Sequence, residues 1–150
     1  MPTPTATTEP SPLPPMKLDH AAIRVPDFDT AIAWYSEKLD FHLTLSVPLA
    51  GLTFGLLSAA GDHSFHIELL AGPGAANRPS YSDLRDSYKL SGLHHLGFRV
   101  ENVDETVDAL KQRGVTIITE PRDVIPMGLR VAFFTDPWDN IFEIIHAVSA

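Results

Sequence analysis

A shift of 75 positions lays Arg24 and Val25 on Arg99 and Val100, His20 on His95, and Glu68 on Glu143, with no gap between the two ends of the unit. A fixed period of this kind means that one supersecondary unit occurs twice and that the copies bury their apolar faces together. In the first copy, "KLDHAAIRV" from Lys17 reads as a strand and "DFDTAIAWYSEKL" as a helix with Asp27 or Asp29 as its N-cap. "FHLTLSV", "LTFGLLS" and "SFHIELL" follow as three more strands. After a Gly/Pro/Ser-rich stretch the order restarts: "LHHLGFRV" as a strand, "NVDETVDALKQRG" as a helix, then "VTIIT", "LRVAFFT" and "NIFEIIH" as strands. The expected fold is α+β: two tandem βαβββ modules whose strands form a curved, cup-like mixed sheet around a metal site.

Module one spans about residues 16–71, the bridge 72–91, and module two about 92–147, within one domain over 16–150. Residues 1–15, "MPTPTATTEPSPLPP", hold too few apolar groups to offset ordering and read as a disordered leader. The bridge carries Arg78, Tyr81, Tyr88 and Lys89 and is long enough to cover the mouth of a site.

Side chains alternate across a strand, so His20, Ala22 and Arg24 share one face and Ala21, Ile23 and Val25 the other. His95, Gly97 and Arg99 oppose Leu96, Phe98 and Val100 in the same way, and Glu68 and Glu143 fall on the polar faces of their strands. A buried, unpaired carboxylate costs several kcal/mol. Two imidazoles and two carboxylates brought together would be balanced by one divalent cation, and this N/O donor set suits Ni, Co, Zn, Mn or Fe. His20, Glu68, His95 and Glu143 are therefore the expected metal ligands. His94 corresponds to Asp19 and points to the opposite face from His95, which assigns it a structural or surface role; His42, His63 and His146 read as structural. His66 shares the face of Glu68 and reads either as a partner to a ligand or as a substrate contact. Arg24 and Arg99, each four positions beyond its metal histidine on the same face, read either as carboxylate-recognising or as strand-end salt bridges.

A formal net charge of -8 and the absence of basic clusters argue against nucleic acid or an anionic membrane as partner, leaving a small-molecule substrate. With no cysteine, thiolate ligands and disulfides are excluded. No apolar run approaches the roughly 18 residues of a membrane span and no signal-peptide pattern opens the chain, so a cytoplasmic protein is expected.

The segments "DHAAIRVPDFDTAIAWYSEKLDF", "HIELL", "HHLGFRVENVDETVDALKQRGV" and "FFTDPWDNIFEI" resemble the vicinal oxygen chelate superfamily, which includes glyoxalase I, methylmalonyl-CoA epimerase, extradiol dioxygenases and bleomycin-resistance proteins. The resemblance runs from Met16 to about Ala147 and is greatest to glyoxalase I and the epimerase. It implies that the metal positions are His20, Glu68, His95 and Glu143, with Glu143 doubling as the base, Glu68 as its counterpart, and Arg24 at a position that in glyoxalases contacts the glutathione carboxylate. It further implies a divalent-metal-dependent isomerase, lyase or epimerase that moves a proton on a small oxygen-chelating carbonyl substrate through a metal-bound enediolate, in a homodimer whose modules either close within one chain or swap between chains. The alternatives are an Fe(II) extradiol-type dioxygenase and a metal-free binding or resistance protein. The chain departs from glyoxalases where "LLAGPGAANRP" follows Glu68 in place of a Thr-x-Asn segment that holds glutathione, and where Asp139 replaces the usual glycine in "DPWDN".

Overall fold

The computed structural model describes residues 12–149, so most of the expected leader lies outside the described residues. Module one comprises β1 (His20–Val25), α1 (Phe28–Leu39), β2 (His42–Leu49), β3 (Leu52–Ala59) and β4 (Asp62–Ala71). A four-residue helix, α2 (Leu84–Ser87), lies in the bridge. Module two comprises β5 (His95–Arg99), α3 (Val103–Gln112), β6 (Thr116–Val124), β7 (Leu129–Thr135) and β8 (Ile141–Ala147). The strands form two four-stranded mixed sheets, ordered β1-β4-β3-β2 and β5-β8-β7-β6, in each of which only the first pair is parallel. The repeat is thus kept in topology, but within one chain the two sheets stay separate and the arrangement is open.

Local chemistry explains the helix starts. The Asp27 carboxylate accepts from Thr30 N at 2.9 Å and begins α1, and Asn102 Oδ1 accepts from Glu105 N at 3.1 Å and begins α3. Both are N-caps that satisfy amide groups the first turn leaves unpaired. They stand at repeat-related positions. Gly55 lets α1 lie close on its sheet, because a Cβ there would sit 2.8 Å from the Phe28 ring. Pro121 falls within β6, where the pairing register with β7 shifts between Thr119 and Arg122 on the sheet edge, a place where a missing N–H is tolerated.

One core joins the modules. Ile23, Val25, Ile67 and Leu69 of the first sheet and Phe134, Phe142 and Ile144 of the second belong to a single buried cluster, with Ala31 and Tyr35 of α1 and Val103, Val107 and Leu110 of α3. The Tyr35 ring packs edge-on to Phe142, with centroids 6.2 Å apart. Its hydroxyl donates to Asp136 Oδ2 at 2.7 Å, and the same carboxylate accepts from Trp138 N, Asn140 N and Asn140 Nδ2. Burial raises the pKa of Asp136, and burial together with the nearby Asp136 charge raises that of Tyr35. The "DPWDN" turn, which the sequence offered only as a variant loop, thus holds one module to the other. No helix among the described residues is long and apolar enough to cross a membrane.

Candidate metal centre

Because the shared core takes the helix-side face of both sheets, the faces carrying the four expected ligands lie outside it. Each sheet brings one histidine and one glutamate together by the same register: His20 sits on β1 with Glu68 opposite Ala22, and His95 on β5 with Glu143 opposite Gly97. Among the described residues, no three or more histidines, aspartates or glutamates are grouped so as to hold a metal ion. The donor types fit a divalent cation, but one chain offers them as two separate pairs.

The module-two pair is tightly set. His95 Nε2 lies 3.1 Å from Glu143 Oε2, and the Phe133 ring stands edge-on to the imidazole at 5.4 Å. The side chains keep 33% and 19% exposure, so an incoming group can reach them. The bridge packs on part of this face: Leu84 of α2 is buried with Val131, Phe133 and Ile141, and Tyr81 packs against them. Asp83 caps α2 by accepting from Asp86 N at 2.7 Å, and Tyr81 donates to Asp139 O at 3.0 Å.

His94 keeps a structural role but not the expected orientation away from His95. It lies one residue ahead of β5, where strand alternation does not apply, and its Nδ1 is 2.9 Å from His95 Nδ1. Its Nε2 is 3.0 Å from Ser87 Oγ in the bridge, and its carbonyl accepts from Arg78 Nη2 at 3.2 Å. Burial is the main cause of its lowered pKa, with His95 and Arg78 adding to it.

In module one, the His20 ring bonds to its neighbour: Nδ1 lies 2.8 Å from Asp19 Oδ2. That bond is the largest cause of a raised His20 pKa, opposed by partial desolvation and aided by the charges of Glu68 and Asp19. The face beyond is open and apolar. Leu56 and Phe54 lie beside Glu68 and Leu70 in the register, and Leu45, Val47 and Leu49 on β2 continue the face, exposed by 52%, 40% and 58%.

The remaining candidates divide. Arg24 lines the cavity described below, and its guanidinium also braces the backbone: Nη1 donates to the carbonyls of Val25, Leu70 and Gly72, and Nη2 donates to that of Pro73, which together tie the end of β1 to the start of the bridge. Arg99 is exposed on the site face of β5. His66 is the Cα partner of His20 across the parallel pair, on the ligand face. His146 is structural, as expected, its Nδ1 accepting from Val103 N at 2.9 Å at the start of α3. A cavity of about 780 Å³ between β1, β5 and the bridge is lined by Ala22, Arg78, His94, His95 and Trp138, but not by His20, Glu68 or Glu143. It adjoins one ligand without enclosing the set.

Residues 17–144 match the family model of the Glyoxalase/Bleomycin resistance protein/Dioxygenase superfamily, and the chain belongs to that superfamily. It is 30% identical over 131 residues to the uncharacterized protein YurT of Bacillus subtilis (strain 168), covering 87% of this chain and 98% of YurT. It is 29% identical over 119 residues to the mitochondrial methylmalonyl-CoA epimerase of Bos taurus, covering 78% of this chain and 65% of the epimerase. Among solved structures, a glyoxalase family protein from Enterococcus faecalis superimposes with a TM-score of 0.72 at 24% identity, over 87% of this chain and 97% of that one.

Proposed function

We propose that this chain is a divalent-metal-dependent isomerase, epimerase or lyase that moves a proton on a small carbonyl substrate with adjacent oxygens, and that it works as a homodimer. The observation that carries this is the repeated His/Glu pair: His95 with Glu143 at 3.1 Å in one sheet, and His20 with Glu68 at the same register in the other. Since each pair lies outside the shared core, a second copy can bring the His20–Glu68 face of one chain to the His95–Glu143 face of the other. Burial of Leu45, Val47 and Leu49 in that contact would remove an exposed apolar face from water, which favours association. His20, Glu68, His95 and Glu143 would hold the ion, of the Ni, Co, Zn, Mn or Fe class. When bound, the ion supplies positive charge that acidifies a C–H next to a carbonyl. Glu143 takes and returns that proton, with Glu68 as its counterpart, and Arg99 and His66 face the substrate.

The epimerase relative supports proton transfer, and four charge-balancing donors support it over a dioxygenase, which uses two histidines and one carboxylate. The test is metal analysis of protein purified with neither added metal nor chelator, combined with sedimentation, solvent-deuterium exchange into candidate substrates and oxygen uptake. Bound metal in a dimer that exchanges a substrate C–H is the expected result. Oxygen consumption with Fe(II) would replace it with the dioxygenase reading, and a chain that takes up none of these metals would be a binding protein.

A further inference from the structure

We infer that His94 is a positioning residue for His95: it accepts the Nδ1–H of His95, leaving Nε2 as the nitrogen presented beside Glu143, and the bridge holds it in place. This rests on the reading above that His95 is a metal ligand.

The hydrogens can be counted from the bridge inward. The single hydroxyl hydrogen of Ser87 goes to the carbonyl of Leu84, so Ser87 Oγ acts as an acceptor towards His94. His94 Nε2 then carries the hydrogen, and in a neutral ring Nδ1 is bare. The 2.9 Å contact between the two Nδ1 atoms is therefore donated by His95. With that hydrogen on Nδ1, Nε2 is the ring nitrogen that His95 presents to Glu143 Oε2, 3.1 Å away. A proton on Nε2 makes that contact an ion pair, and a metal cation in the proton's place would be held by both atoms. Ligand histidines characteristically donate their second N–H to an outer partner that fixes tautomer and orientation.

The repeat supplies an independent observation. Asp19 stands 75 positions before His94, and its carboxylate takes the same atom of the other histidine, His20 Nδ1, at 2.8 Å. Each module thus uses the residue just before its histidine as the partner of Nδ1. The difference lies in what stands behind that partner: the Asp19 side chain is 83% exposed, while His94 is tied to Ser87 and Arg78 of the bridge. Displacement of the bridge would be felt at His95 and not at His20.

Titration of the full-length chain with Co²⁺ or Ni²⁺ tests the role. His94→Ala should weaken binding by about 10–100-fold, the usual cost of losing an outer partner. His94→Asn, which keeps an acceptor near the place of Nδ1, should recover most of that loss, and Ser87→Ala should lose less than His94→Ala. A ¹⁵N–¹⁵N coupling across the hydrogen bond between the two Nδ1 atoms, read in the metal-free protein, is expected in the wild type. Unchanged metal affinity in a folded His94→Ala variant overturns the proposal, as does an Asn variant no better than Ala. Absence of the coupling overturns it whether or not metal binds. A wild-type chain that shows the coupling but takes up no metal instead sinks the metal-site reading and leaves the His94–His95 contact standing.

Discussion

The two modules carry the same histidine and glutamate at the same register, yet present them differently. In module two the pair is in direct contact, the Phe133 ring stands against the histidine, and Leu84 of the bridge covers the neighbouring apolar surface. In module one the histidine bonds to an exposed Asp19, and all eight residues of β2 stand exposed beside it. A repeated strand pattern fixes which residues share a face; what covers that face depends on segments outside the repeat. The bridge covers part of one copy, and the other stays open.

Substitutions can break this comparison, and the largest effect is expected at the proposed base. After metal is restored at high concentration, Glu143→Gln should remain about 10²–10⁴-fold slower in turnover, the range for loss of general-base catalysis. Glu68→Gln makes the same change of charge in module one. Full recovery of Glu143→Gln with none in Glu68→Gln would show that the modules have exchanged roles.

Next comes the cover itself. Leu84→Ala should cost about 2–5 kcal/mol in denaturant unfolding, as a buried leucine does when its site cannot collapse. A negligible loss would mean that the bridge rests on module two without being part of its core, and the contrast between the two faces would largely disappear. Tyr35→Phe should cost about 1–3 kcal/mol, because Asp136 loses one buried donor across the module boundary. A smaller loss would show that the remaining three donors to Asp136 suffice. The smallest effect is expected on the open face: Leu49→Ser should change the unfolding free energy of the monomer by no more than about 0.5 kcal/mol. The same change should raise the concentration at which dimers form in sedimentation. If the monomer itself loses stability, Leu49 is already covered within its own chain.

Much of this was legible in the residues. Eight strands and two long helices follow from alternation, 3.6-residue periodicity and the caps Asp27 and Asn102, all of which act over a few neighbouring positions. The repeat also placed His20, Glu68, His95 and Glu143 on one face of each sheet, because strand alternation carries that information along the chain. Helix α2 was not legible: four residues have no periodicity to read, and Leu84 is held by contacts with Val131, Phe133 and Ile141, more than forty positions away. The orientation of His94 was not legible for a related reason, since alternation was extended to the residue before β5 begins.

By itself, then, the sequence determined the two βαβββ units and the face on which each His/Glu pair stands, since these depend on local geometry repeated at a fixed offset, while the superfamily followed from resemblance to known members. Only the tertiary structure decided that the helix-side faces of both sheets fuse into one core and leave the ligand faces outside it. It also decided that Asp136 bonds to Tyr35 across the modules, that Arg24 is occupied by backbone carbonyls, and that His94 links the bridge to His95. Each of these joins groups through space, where packing and the need to satisfy polar atoms choose the partner, and no spacing along the chain encodes that choice.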